Sequence, residues 1–378
     1  MNETSFIEQE DDYCWPKEEH GIFKYACVMF IATPIALLGF FLNILLTAVF
    51  WKFRKTSKLY LFVLAIFDIC SCTVYLFSNT VRAFSAYHQI YSLHRFWHYA
   101  YASFFHGFTQ IVNGILSAIL FWVVLDCWVR AKHSARLRFI ISPIFRHTII
   151  LLVILFTIFS RLPYFVHVDV VHHPKCPQFQ DLALGPNPIY EKHYQRIIDW
   201  NEIVNEILTT ISAYFGTLIF GIVLWTVARR KFPRSSKDYV LKQFDEPEPT
   251  EITFNNNEEN DQETYTWTLI FVVVMHVVLL FFFVIIWFYQ LIFQADYHET
   301  LEIIEQLDLH FSTHGTFTYL ITEVPLLGRL FDSSLRFFVY LKFSPTIRRR
   351  IKILLCRHRE PESSPPRYEF ESGRRLLK

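Results

Sequence analysis

Apolar positions along the chain gather into seven long runs, at 26–51, 59–82, 100–126, 148–168, 204–228, 266–293 and 315–341, separated by short polar clumps. A helix crossing the hydrocarbon core of a bilayer needs about 20 mostly apolar residues, and every run is long enough. Some stretches, such as Phe271-Val272-Val273-Val274 and Phe281-Phe282-Phe283, carry residue types that favour strands in water. At this length, in a chain this apolar, they predict membrane helices. A soluble α/β protein with buried strands would need Gly- and Pro-rich turns every few residues. The sequence lacks them, with only 10 glycines in 378 residues. The pattern predicts an all-α integral membrane protein whose principal partner is the lipid bilayer.

Composition strengthens this reading. Charged residues make up 19 % of the chain, against about a quarter in soluble domains, and they sit between the runs. Lys and Arg number 36 against 35 Asp and Glu, for a net charge of +1, so a nucleic-acid partner is not expected. Basic residues crowd after the first run (Lys52, Arg54, Lys55, Lys58), the third (Arg130, Lys132, Arg136, Arg138, Arg146), the fifth (Arg229, Arg230, Lys231, Arg234) and the seventh (Arg348, Arg349, Arg350, Lys352). The alternate segments are poorer in them. Lys and Arg accumulate in cytoplasmic loops, so the N-terminus is expected outside and the C-terminus inside. Residues 1–25 form an acidic outer segment (Glu8, Glu10, Asp11, Asp12) without the basic start and short apolar core of a signal peptide. Asn2-Glu3-Thr4 is a glycosylation sequon there. The spans occupy 26–342. The polar inner loop 231–264 is expected to be flexible. Residues 343–378 hold an amphipathic helix on the inner leaflet, with Ile347, Ile351, Leu354 and Leu355 against the basic residues, followed by a tail. Cys356 at the end of that helix is a palmitoylation candidate.

Ionisable residues within a span are costly and mark functional positions. The first run carries Leu42-Asn43, the second Leu64-Ala65-Ile66-Phe67-Asp68, and the third ends Asp126-Cys127-Trp128-Val129-Arg130-Ala131-Lys132-His133. The seventh ends Asp332-Ser333-Ser334-Leu335-Arg336-Phe337-Phe338-Val339-Tyr340. Together these resemble the signatures of rhodopsin-like (class A) G-protein-coupled receptors, most nearly the FMRFamide-type peptide receptors. The resemblance spans most of the chain. It implies a multi-pass plasma-membrane receptor that binds an extracellular peptide or small molecule and passes the signal to a heterotrimeric G protein by helix rearrangement. It also implies a switch network of Asn43, Asp68, Asp332, Arg336 and Tyr340, and a G-protein-facing set of Asp126, Cys127, Trp128 and Arg130. Depth along the helices suggests an aromatic ligand wall of Phe104, Phe105, Phe108, Trp287 and Tyr319, with Glu323 as an acidic contact for a basic peptide group. A chemosensory receptor for small molecules is the nearest alternative, and a seven-helix transporter or other non-signalling protein the next.

The departures from the family pattern carry chemistry of their own. Arg336 stands where the family has Asn. A guanidinium is a fixed cation with forked donors suited to a carboxylate, so it is expected to pair with Asp68 in place of the family's sodium ion. Asp332, one turn before Arg336, can join them. The pair could be purely structural or could bias the resting state. Cys127 stands where the family has Arg, which leaves altered coupling, loss of signalling, or partial substitution by Arg130. The family's disulfide from the top of the third helix lacks its cysteine. Cys176 is therefore expected to pair with Cys14, with Cys27 as second choice. The sixth run has no Pro to kink it, and its His276 is either a proton sensor or a side chain satisfied within the bundle. No spacing of His and Cys indicates a metal, and no nucleophile elbow or phosphate-binding loop is present. Neither an enzyme nor a cofactor is expected.

Overall fold

A computed structural model of the chain describes residues 25–51, 58–132, 135–179, 181–187, 212–231, 264–279, 281 and 314–356. In chain order the described elements are α1 (Tyr25–Trp51), α2 (Leu59–Tyr87), α3 (Tyr91–Lys132), α4 (Pro143–Arg161), β1 (Val168–His172), β2 (Leu182–Pro186), α5 (Ser212–Lys231), α6 (Thr264–Leu279), α7 (His314–Phe343) and α8 (Pro345–Cys356). Four helical stretches, α1, α2, α3 and the one beginning with α4 (Pro143–Val166), are long and apolar enough to cross a membrane. The described part of α6 is a shorter apolar helix.

The distribution of side chains reverses that of a soluble domain. Large apolar groups face outward, with Phe30 70 % and Ile144 81 % exposed, while Asp68, Asp126, Arg146, Asp332 and Arg336 are buried. Lipid as the surrounding solvent accounts for both, because it accepts apolar surface and sends ionisable groups to the bundle interior.

Helix α3 lies at the centre, packed against α2, α4 and α5, while α1 packs against α2 and α7. Ile115, Ile119, Leu120 and Val124 of α3 share a core with Leu61 and Leu64 of α2, Leu224 of α5 and Val272 of α6. Tyr214 of α5 donates its hydroxyl to the Val277 carbonyl of α6 at 3.1 Å. Phe271 of α6 stacks on Phe343 of α7 at 4.1 Å between ring centroids.

Helix starts and stops follow local chemistry. Ser142 caps α4, accepting from the Phe145 amide at 3.2 Å, with Pro143 at the first helical position, where its missing N–H costs nothing. Ser344 separates α7 from α8, and α8 packs against α7 and α1. The amphipathic helix expected after the last run is therefore present.

Three features differ from the sequence expectation. The described residues are mostly helical, as expected, but β1 and β2 add an antiparallel hairpin, pairing Val168 with Pro186 and His172 with Leu182. Val168, Val170 and Val171 favour strand just where the apolar run of α4 has ended. Second, α2 reaches Tyr87 and α3 starts at Tyr91, so α3 is 42 residues long. At 1.5 Å per residue that is about 63 Å, twice the roughly 30 Å hydrocarbon core, and its ends must project beyond it. Gln89, with φ 53°, makes the tight joint between them. Third, α1, α2 and α3 each contain one widened π-helical turn, at Val28–Ala32, Leu76–Thr80 and Tyr101–Phe105.

Candidate functional site

Two ionised residues one turn apart on α7 meet a carboxylate from α2 and an imidazole from α6. Arg336 Nη1 donates to both Asp68 oxygens, at 2.8 and 3.0 Å, and its Nη2 to Asp332 Oδ2. His276 Nδ1 lies 2.8 Å from the same Asp332 oxygen. All four side chains are at most 5 % exposed. Two carboxylates thus share one buried guanidinium. A guanidinium cannot give up its charge at any ordinary pH, so the pair is a permanent clamp between α2 and α7. His276 ties α6 to it.

Asn43 joins α1 to the same place. Its Nδ2 donates to the Gly39 carbonyl of its own helix at 2.8 Å and to Ser333 Oγ of α7 at 3.1 Å. Ser334 Oγ donates to the Ile35 carbonyl at 3.2 Å. Tyr340, one turn beyond Arg336, is buried with its ring edge-on to Phe50 at 5.6 Å. The five residues expected to form a switch network therefore sit on the facing sides of α1, α2 and α7.

A second ionic cluster occupies the other end of α3. Asp126 accepts from Arg130 Nε at 2.8 Å and from Arg146 Nε of α4 at 3.1 Å. Arg130, one turn beyond Cys127, is paired with the carboxylate of its own helix. Cys127 is buried, with Sγ 3.7 Å from Thr266 Oγ1 of α6. Trp128 turns away from this pair, packing edge-on to Phe220 of α5 and lying under the Lys132 ammonium.

Between α2, α3 and α7 a cavity of about 130 Å³ opens one turn from Asp68. Ser71, Tyr75, Ser78 and Asn79 line it from α2, Tyr101, Thr109 and Asn113 from α3, and Arg329 from α7. The expected aromatic wall lies elsewhere. Phe104, Phe105 and Phe108 are not among the lining residues; Phe105 stacks on Phe77, and Phe104 on Phe108 and near Phe165. Phe104 is 49 % exposed on the outer face. The widened turn at Tyr101–Phe105 alters the register of this face of α3, which no sequence period reveals. Trp287 lies outside the described residues. Tyr319 and Glu323 are on α7 and Cys356 in the last turn of α8, with side chains outside the described set.

Cys176, between β1 and β2, is disulfide-bonded, while Cys27, Cys70, Cys72 and Cys127 are free. Cys27 is therefore not its partner. Cys14 lies outside the described residues, as does Asn2. Among the described residues, no group of three His, Cys, Asp or Glu side chains is arranged to hold a metal ion.

Sequence reasoning missed Arg146 as the second partner of Asp126 and Arg329 as a cavity residue. Arg146 had counted only toward the inner charge bias, and nothing in its spacing marks the α4 contact. Arg329 lies one turn before Asp332 in the sequence, but the cavity it lines depends on packing with α2 and α3. The chain matches no known protein-family model and no curated protein.

Proposed function

We propose that the chain is a rhodopsin-like receptor of the plasma membrane, with seven spans, N-terminus outside, coupling an extracellular ligand to a heterotrimeric G protein. The observation that carries this reading is that Asn43 of α1 bonds Ser333 of α7 while Asp68 of α2 bonds Arg336 of α7. Residues singled out by resemblance on three separate runs thus come together in one buried region of α7. In this reading the Arg336 clamp holds α2 and α7 together at rest, and His276 transmits any shift of α7 to α6 through Asp332. Ligand binding between the outer halves of the helices displaces that network, and the Asp126–Arg130–Arg146 end opens toward the G protein. The Cys14–Cys176 disulfide ties the N-terminal segment over the pocket, Asn2 carries a glycan, and Cys356 carries a lipid.

The ligand expected by resemblance is an amidated peptide of the FMRFamide type. A small-molecule, chemosensory ligand is the second reading, favoured by the size of the cavity. The test is G-protein activation by the surface-expressed chain, with and without a pool of amidated peptides, alongside Cys127→Arg. A peptide-dependent response supports the peptide reading and establishes coupling without the helix 3 arginine. Raised basal activity in Cys127→Arg alone places the block at Cys127. Silence in both forms sinks the peptide-receptor reading.

A further inference from the structure

We propose that the β1–β2 hairpin is an acid-released flap, docked on the first turns of α3 and freed when His94 beneath it takes up a proton. This goes beyond the receptor reading and involves no G protein.

The contacts that dock the hairpin gather in the loop between its strands. Tyr91, the first residue of α3, donates its hydroxyl to Asp181 Oδ2. His172 Nε2 of β1 lies 3.7 Å from the same oxygen. The His173 amide donates to the Asp181 carbonyl at 2.7 Å, which fixes Asp181 to the hairpin's own backbone. Phe179 packs its ring against Tyr91, at 5.6 Å between centroids, and against His94, at 5.1 Å. It does so with φ 75°, a backbone conformation that a bulky residue holds only where its surroundings impose it. Release of the loop would relieve that strain.

His94 is the weak point under this cover. It is 7 % exposed, and neither ring nitrogen has a hydrogen-bond partner among the described residues. A neutral imidazole fits there as a flat ring, whereas an imidazolium would be a buried charge without a partner. The groups around it do not supply one. His98 lies 4.3 Å away between ring centroids, and its Nδ1 is engaged with the His94 carbonyl at 2.9 Å. Arg82 of α2, whose guanidinium stands 5.1 Å over the Trp97 ring, adds like charge. The Asp181 carboxylate favours the cation, but its Oδ2 already accepts from Tyr91.

The sign of the pH response follows. His94 precedes the apolar run at 100–126, outside the stretch that spans the bilayer. Burial, with His98 and Arg82 adding to it, holds its imidazole down at about 4. Open to water, an imidazole titrates at about 6.5. The released form therefore binds more protons between these values, so docking is at full strength above pH of about 6.5 and weakens as pH falls toward 4.

The docking surface lies one side chain from the cavity between α2, α3 and α7. Trp97, next along α3 from His94 by three residues, donates its indole N–H to the Ser78 carbonyl at 2.8 Å and stacks on Tyr101 at 4.9 Å. Ser78 and Tyr101 both line the cavity, each within a widened turn.

The test is hydrogen exchange, read by mass spectrometry on the full chain in lipid nanodiscs near neutral pH and at about pH 5, with rates corrected for the intrinsic pH dependence of exchange. Peptides covering the two strands are expected to lose protection by about ten- to thirtyfold at the lower pH. His94→Phe and His94→Leu fill the same space without a titrating group, and each should protect the hairpin equally at both values. Equal protection of the wild-type hairpin at both values overturns the proposal, and so does an acid response that persists in these variants. Tighter protection at the lower pH overturns it too, since protonated His94 would then be locking the hairpin through Asp181. The wild-type comparison decides even if a variant fails to fold.

Discussion

At the scale of single residues, the governing fact is that Arg336 serves two carboxylates. Removing the cation leaves Asp68 and Asp332 buried together without it, whereas neutralising Asp68 leaves Arg336 still paired with Asp332. Breaking a buried ion pair costs about 3–5 kcal/mol. Arg336→Ala is therefore expected near the top of that range, and Asp68→Asn well below it. Thermal unfolding of the purified protein in nanodiscs, with surface expression as a second readout, measures both. Equal losses would show that Asp332 does not share the guanidinium. Because Arg336 already supplies the cation beside Asp68, exchanging sodium for choline at constant ionic strength should leave the melting temperature unchanged. A sodium-dependent rise would mean that an ion, not Arg336, occupies the space beside Asp68. The Asp68–Arg336 pairing was legible in the sequence, since both are ionisable residues within apolar runs at positions the resemblance singles out. The roles of Arg146 and His276 were not. A residue's neighbours across helices depend on rotation about each helix axis, and a run of uniformly apolar residues leaves that rotation undetermined.

At the scale of elements, close helix contacts set the tolerance to change. A Cβ added at Gly328 of α7 would lie 2.8 Å from the Leu279 carbonyl of α6. Backbone cannot turn aside, so the two helices must part. At Gly39 of α1 the nearest atom, at 2.5 Å, is the Ser334 hydroxyl, which can rotate at the expense of its bond to the Ile35 carbonyl. Overpacking of this kind typically costs about 1–3 kcal/mol. Gly328→Ala should fall at the upper end and Gly39→Ala at the lower, as separate drops in melting temperature. A Gly328→Ala protein as stable as wild type would mean that α6 and α7 are not held this close. The existence of the described helices was readable from apolar run length. Their ends were read less well, because helical hydrogen bonding continues past the bilayer wherever the sequence permits. That is how α2 and α3 come to overrun their apolar segments and carry His94 and Arg95 in helix.

At the scale of the whole molecule, the proposed orientation has consequences that do not depend on the ligand. The sequon at Asn2 should carry a glycan, so that Asn2→Gln increases gel mobility to match glycosidase-treated wild type. An epitope placed within 231–264 should bind antibody only after the cell is permeabilised. Labelling of intact cells at that loop would invert the proposed topology. Helix α7 carries the weight of this reading, since it brings the Asp332–Arg336 pair to Asp68 and packs against α1 and α2.

The sequence alone determined that apolar helices long enough to cross a membrane dominate the chain, because hydrophobic length is a one-dimensional property. It also determined that a cation stands near the α2 carboxylate, because an unpaired charge in lipid is too costly to leave. Tertiary structure alone decided which faces meet. It turned Phe104 outward, gave Asp126 its second arginine from α4, joined His276 to Asp332, and opened a cavity with Arg329 as its one ionised side chain among the described lining residues. Those outcomes follow from helix rotation, widened turns and interhelical packing, and the pattern of apolar and polar positions along these runs leaves all three unspecified.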